Sequence, residues 1–327
     1  MSGRRHEVTV AYVTHRDDPR FQWFADSLAR QLEPAVELEV ILVDGLHSTA
    51  RAAAFGGAVA GRFPFRCVPA KPTPLNGAHR LTRRDLFAAA SARNTAIVHA
   101  TKPYVAFVDD ASVLMPGWLK EVVRAAHLGY VVAGSYEKRW SMAVEDGELV
   151  ASDDETTAVD SRRAASGDEA LRPVDGGDLF GCSFGAPREF LVAVNGFDEI
   201  CDPTGGEDYH LGLRLQWAGL PIYYSRRMLT VESEEAHRQP SPLVRVDPVT
   251  TAAAYARALE RFGVGRRSTD GPCDRSHFIL DLLHGTRSVR SLGNCYDLAA
   301  LTASDLESLP GRFPESFVFD GRSYAEL

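Results

Sequence analysis

Apolar positions recur along this chain with two different periods, and the switches between them mark out strands and helices. EVTVAYV, residues 7–13, is almost continuously apolar and rich in β-branched residues, as expected of a strand buried on both faces. Beyond a short loop, Phe21, Phe24, Leu28 and Leu32 keep helical spacing, with Asp18 placed to cap and Pro19 in the first turn. ELEVILVDG, 37–45, reads as a second strand and FPFRCVP, 63–69, as a third, so the opening is β-α-β and implies a parallel sheet. Residues 82–100 hold a helical period through Leu86, Ala90, Arg93 and Ile97 behind a capping-box start of Thr82 and Asp85. PYVAFVDDAS is then a strand that stops at two aspartates, MPGWLKEVVRAAHLG a helix, and YVVAGSY a further buried strand.

The pattern to about residue 135 predicts an α/β fold with an open, mostly parallel, doubly wound sheet. MAVEDGELV, 142–150, predicts a β-hairpin turning at Asp146-Gly147. The polar, acidic stretch 151–178 reads as a long mobile loop, either a lid or an idle excursion. Regular structure resumes at GCSFGAPREFLVAVNGFDE, where Pro187 opens a short helix that ends at Asn195-Gly196. GGEDYHLGLRLQWAG, 205–219, is an amphipathic helix whose apolar face, Leu211, Leu215 and Ala218, is in register with Asp208. From about residue 240 the pattern weakens into helices and loops, and no internal repeat is evident.

With 327 residues, 45% of them hydrophobic and 24% charged, the chain can bury one large α/β core or two smaller ones. No apolar run reaches the roughly 18 residues of a bilayer span, and MSGRRHEVTV has no signal-peptide core, so a cytoplasmic location is expected. Five scattered cysteines without a C-x-x-C pair argue against a disulfide framework and a zinc site. A net charge of −8 disfavours a nonspecific nucleic-acid binder, although Arg80, Arg83, Arg84 and Arg226, Arg227 form local groups able to hold a phosphate.

In open α/β sheets ligands collect at the carboxyl ends of the strands, and the acids of this chain concentrate there: Asp44 ends the second strand and Asp109-Asp110 end the strand before MPGWL. One such acid is explained as a turn residue. Two adjacent carboxylates on a rigid strand end repel unless a cation compensates, and a hard divalent ion shared with substrate phosphates does so. Glu207-Asp208 taken alone reads as a helix cap, favoured by the helix dipole.

Taken in order, VTVAYVTHRDD, EVILVDG, ARN, YVAFVDDASVLMPGWL, FGCSFGAPREFLVAVNGFDE, GGEDYHLGLRLQWAGLPIYY and SEEAH resemble the GT-A glycosyltransferases, family 2 above all, and the GFDE-to-GGED block is similar to the catalytic segment of galactosyltransferases. The resemblance covers about residues 7–237. It implies a catalytic domain over 1–239, with a nucleotide-binding half to about 135 and an acceptor half after it, and an extension 240–327 for acceptor binding or oligomerisation. It implies that Thr14, His15, Arg16 and Asp44 surround the base and ribose, that Arg93 and Asn94 lie near the diphosphate or ribose, and that Asp109 touches the ribose. It also implies Asp110 and His237 as ligands of Mn²⁺ or Mg²⁺, Asp208 as general base and Glu207 as an acceptor contact. The Asp-x-Asp signature of the family is here Asp109-Asp110-Ala111, so the third position has no ligand to offer.

The resemblance implies a metal-dependent transfer from a nucleoside-diphosphate sugar, a UDP-sugar ahead of a GDP- or dTDP-sugar, with inversion. A retaining transferase and a non-catalytic sugar-nucleotide binder are the alternatives. A nucleotidyltransferase is disfavoured, because VTHRDDPR offers no glycine-rich phosphate loop after the first strand. The acceptor, whether saccharide, small metabolite, peptide or modified nucleobase, is left open, and so is homo-oligomerisation.

Overall fold

The computed structural model describes residues 6–77, 80, 82, 85–156, 159–164, 171–202, 205–243, 289–291, 294 and 296–307. A nine-stranded mixed sheet forms its centre. The parallel half is built from β1 (His6–Thr14), β2 (Val36–Asp44), β3 (Phe65–Pro69) and β4 (Tyr104–Asp109), in the order β3-β2-β1-β4, linked by α1 (Phe21–Ala29), α2 (Thr49–Val59) and α3 (Ala89–His99). Thr14 pairs in register with Asp44, and Val13 with Asp109, so all three strand ends open on one edge of the sheet.

The second half begins with β5 (Ser112–Leu114), α4 (Trp118–Leu128) and β6 (Val131–Arg139), followed by a hairpin of β7 (Met142–Glu145) and β8 (Glu148–Ser152). Asp146 and Gly147 both take positive φ in its turn, the geometry that an Asp-Gly hairpin favours. Next come α5 (Ser161–Ala164), β9 (Leu171–Pro173), β10 (Ser183–Pro187), α6 (Arg188–Ala193), α7 (Glu207–Trp217), β11 (Ile222–Ser233) and α8 (Glu234–Arg238). β10 runs antiparallel between β4 and β6, and β11 runs parallel to β6 with β5 and β9 antiparallel on it. Helices cover both faces. One core face gathers Ile41, Val43, Ile97, Phe107, Phe184 and Leu211, and the other gathers Tyr12, Phe24, Leu42, Val108, Trp118 and Met228.

Three expectations need correction. Residues 82 and 85–88 are not helical: α3 begins at Ala89, the Thr82 hydroxyl donates to the Leu75 carbonyl, and the Asp85 carboxylate accepts from the Gly77 amide. The first turn of α3 is capped from outside the segment, by Asp202 accepting from the amides of Ala90 and Ser91 at 2.5 and 3.2 Å. A side chain distant in sequence thus does what the local capping box was read to do. In α1 the cap is Arg20, in a left-handed conformation, while Asp18 accepts the Arg20 amide. The acidic stretch 151–178 is also not one loose loop: β9 joins the main sheet, and Asp160 and Arg162 are buried against each other beside Phe180 and Tyr224. Residues 157, 158 and 165–170 of it, and 244–288 of the C-terminal extension, lie outside the described residues.

The described residues among 289–307 pack on α6 and the turn that follows it. Ser291 donates its amide to the Val194 carbonyl, the Asn195 side chain receives the Leu298 amide, and Leu298 enters the core. Helix α7 is seated closely on the turn at Gly176–Asp178, where a Cβ on Gly212 would meet the Gly176 oxygen at 2.0 Å. Gly212→Ala should therefore cost about 1–3 kcal/mol through overpacking, read as a lower urea midpoint. Gly56→Ala, in α2 with nothing within 4 Å, should be neutral or stabilise by about 0.5–1 kcal/mol.

Candidate active site

The site is assembled where β1, β2 and β4 end, and one buried cation holds its two sides together. Arg93, on α3, donates from one nitrogen to Asp109 at 2.7 Å and from the other to Glu207 at 2.5 Å. Asp109 ends β4 and Glu207 opens α7, so a single guanidinium fork ties two elements separated by about a hundred residues of chain. Burial works against the Arg93 charge, but the carboxylates of Asp109, Glu207 and Asp208 more than offset it and raise its pKa. Burial in turn pushes the Glu207 carboxyl up, with Arg93 opposing and Asp208 reinforcing. Gly181 crosses directly over the guanidinium: a Cβ there would stand 2.7 Å from an Arg93 nitrogen.

Asp208 lies beside this fork. One of its oxygens accepts the Gly181 amide and the other the Tyr209 amide, both at 2.7 Å, so two backbone groups fix the carboxylate. The glycines before it, Gly205 and Gly206, have φ of +80° and +85° and let the chain turn directly into α7.

On the opposite flank, Asp110 is buried and held by three groups. Thr14 donates its hydroxyl to Oδ2 at 2.7 Å, Arg16 donates Nε to Oδ1 at 3.1 Å, and His237 Nε2 is 3.5 Å from Oδ1. Burial opposes ionisation, but His237, Arg16 and Thr14 outweigh it and hold the Asp110 carboxyl below the usual aspartate range. Ala111 adopts a left-handed φ of +56°, is fully buried, and exchanges backbone bonds with Pro19 and Ser233.

His237 sits in α8 with Nε2 3.1 Å from the Asp110 carbonyl oxygen and Nδ1 3.8 Å from Glu232. Glu232 is itself buried, 3.5 Å from Lys138, and burial raises its pKa against the pull of Lys138 and His237. Burial lowers the His237 pKa, but the two acids raise it by more. A divalent cation of the Mg²⁺ or Mn²⁺ type takes few protein ligands and fills its other positions with phosphate and water. Asp110 and His237 fit that description: an oxygen and a nitrogen lie 3.5 Å apart, although among the described residues no cluster of three His, Cys, Asp or Glu forms.

The remaining candidates divide. His15 is buried and stacked on Phe87 at 3.8 Å between centroids, and Asp44 is paired through both oxygens with Arg51. Arg51 also donates to the carbonyls of Arg16 and Asp17, so it locks the β1–α1 loop to the end of β2. Thr14 and Arg16, expected around base and ribose, are both engaged with Asp110. Asn94, expected near the diphosphate or ribose, is engaged inside the core: its Nδ2 donates to the Phe197 carbonyl and to Glu199, and its Oδ1 accepts the Phe197 amide. Arg51, Glu232, Lys138 and Phe87 escaped the sequence reading, since a basic residue among alanines, an acid ending a long strand, a lysine and a phenylalanine carry no motif.

The glycosyltransferase-like family 2 model matches residues 6–261. The chain belongs to that family and carries a GT-A glycosyltransferase domain. No curated protein matches it in sequence. Among solved structures, GalNAc-T7 with UDP, GalNAc and Mn²⁺ superposes with a TM-score of 0.55 at 11% identity, over 85% of this chain and 55% of that one. S. aureus TarS superposes at 0.52 and 14% identity over 98% and 50%, and its 1–349 fragment at 0.50 and 14% over 78% and 65%. The Pyrobaculum calidifontis mannosyltransferase PcManGT, with GDP-Man and Mn²⁺, gives 0.50 and 17% over 93% and 74%. The chain thus spans less than two thirds of the TarS chains it matches. Among the described residues no helix is long and apolar enough to cross a membrane.

Removing Arg93 leaves Glu207 and Asp109 facing each other without their cation. Arg93→Met should cost about 3–5 kcal/mol in urea unfolding, and adding Glu207→Gln in the same chain should recover part of it.

Proposed function

We propose that this chain transfers a sugar from a nucleoside-diphosphate sugar, a UDP-sugar first, to an acceptor nucleophile with inversion at the anomeric carbon. The observation that carries the reading is the Arg93 bridge, which puts Asp109-Asp110 and Glu207-Asp208 on the two sides of one site. GalNAc-T7 and PcManGT, whose structures hold UDP and GDP-Man with Mn²⁺, support a nucleotide donor and a divalent ion for this chain.

In this mechanism Asp208, fixed by the Gly181 and Tyr209 amides, accepts the acceptor's proton as the nucleophile attacks. Glu207 orients the acceptor, and Arg93 keeps its carboxylate in place. Asp109 contacts the ribose at the end of β4, while His15 and Asp44, the latter braced by Arg51, shape the base end of the donor site. Asp110 and His237 would hold Mn²⁺ or Mg²⁺, which supplies Lewis-acid neutralisation of the departing diphosphate. Thr14 and Arg16 set the rotamer and ionisation of Asp110 before substrate arrives.

The test begins with UDP-sugar transfer and hydrolysis assays followed by NMR of the product anomer, where a retained configuration would exclude the inverting role of Asp208. Asp208→Asn should lower turnover about 10²- to 10⁴-fold while UDP affinity by calorimetry stays unchanged. Turnover near normal would remove Asp208 from the role of base. Asp110→Ala should abolish the Mn²⁺-dependent share of UDP binding, and an unchanged Mn²⁺ dependence would remove Asp110 from the metal site.

A further inference from the structure

Two cations have a claim on one oxygen of this site. Asp110 Oδ1 accepts Arg16 Nε at 3.1 Å, and the same oxygen is the one nearest His237 Nε2, at 3.5 Å. A divalent ion held jointly by Asp110 and His237 must approach the edge that the guanidinium covers. Arg16 is anchored there from two directions: Nη1 donates to the carbonyls of Ala236 and His237 at 3.1 and 3.0 Å, and Arg51 grips its own carbonyl at 2.8 Å. Only 7% of its side chain is exposed, so little water screens its charge from a second cation beside it.

We propose that Arg16 is the resident counter-ion of Asp110, which a divalent cation must displace, so that the site resists the free ion and admits it together with a nucleotide diphosphate. The diphosphate brings negative charge that compensates the ion and offers the displaced guanidinium a bidentate partner in place of Asp110. Arg16 is in this account a positioning residue that makes metal entry depend on donor. The idea rests on the metal assignment to Asp110 and His237 made above.

Mn²⁺ titration followed by electron paramagnetic resonance, on the full chain and without any sugar donor, tests it. Arg16→Gln keeps a hydrogen-bond donor where Nε faces Asp110 but removes the charge. It should bind free Mn²⁺ about tenfold tighter than the wild type, and added UDP should tighten Mn²⁺ binding less in the variant than in the wild type. If Arg16→Gln binds free Mn²⁺ no tighter while the wild type binds Mn²⁺ with UDP, Arg16 is only a clamp: the inference falls and the metal assignment stands. If neither protein binds Mn²⁺ even with UDP, the metal assignment fails and takes the inference with it. Should melting curves show that Arg16→Gln does not fold, Arg16→Met decides by the same titration, because it keeps an apolar stem of similar length and removes the charge. A gain in free-Mn²⁺ affinity supports displacement, and an unchanged or weaker affinity overturns it.

Discussion

The guanidinium of Arg93 is the constraint on which this site depends. Glu207 is buried and Asp109 half-buried, and two carboxylates drawn that close would separate or protonate without a cation between them. Because the cation comes from α3, the middle of the parallel half fixes where α7 begins relative to the end of β4. Gly181 completes the arrangement: it passes over the guanidinium where any side chain would collide, and its amide secures Asp208. Packing, charge and the orientation of the proposed base are thus parts of one contact set.

A second charge set, built around Asp110, is joined to the first through the backbone of β4. Thr14, Arg16 and His237 come from the end of β1, the following loop and α8, and all converge on one carboxylate. The left-handed, fully buried Ala111 turns the chain directly after it. What looks in the sequence like an eroded metal motif is therefore an acid held in place by three side chains.

Much of the fold was legible because its signals are local. The apolar runs at 7–13 and 103–109 are strands, the Asp-Gly turn is a hairpin, and the helix from Glu207 keeps Leu211 and Leu215 in the core as its period indicated. The start of α3 was misread because Asp202, more than a hundred residues away, provides the cap. The order of buried Asp160 and Arg162 was hidden for a related reason: a polar pair reads as loop until Phe180 and Tyr224 are known to enclose it. Within the site, the acids announced themselves by their places at strand ends, whereas their partners did not. Arg51 and Glu232 act only through tertiary proximity, and Asn94, adjacent to Arg93 in sequence, enters a buried network with Phe197 and Glu199.

The central claim is that the two acid pairs share one reaction centre at the ends of β1, β2 and β4. A crystal structure of the protein with UDP and Mn²⁺ examines this most directly. The account predicts diphosphate density against Asp110, on the same side of the sheet edge as Asp208. A nucleotide bound elsewhere, such as the cavity between His6, Leu119 and Arg227 at the opposite end of β1, would contradict it.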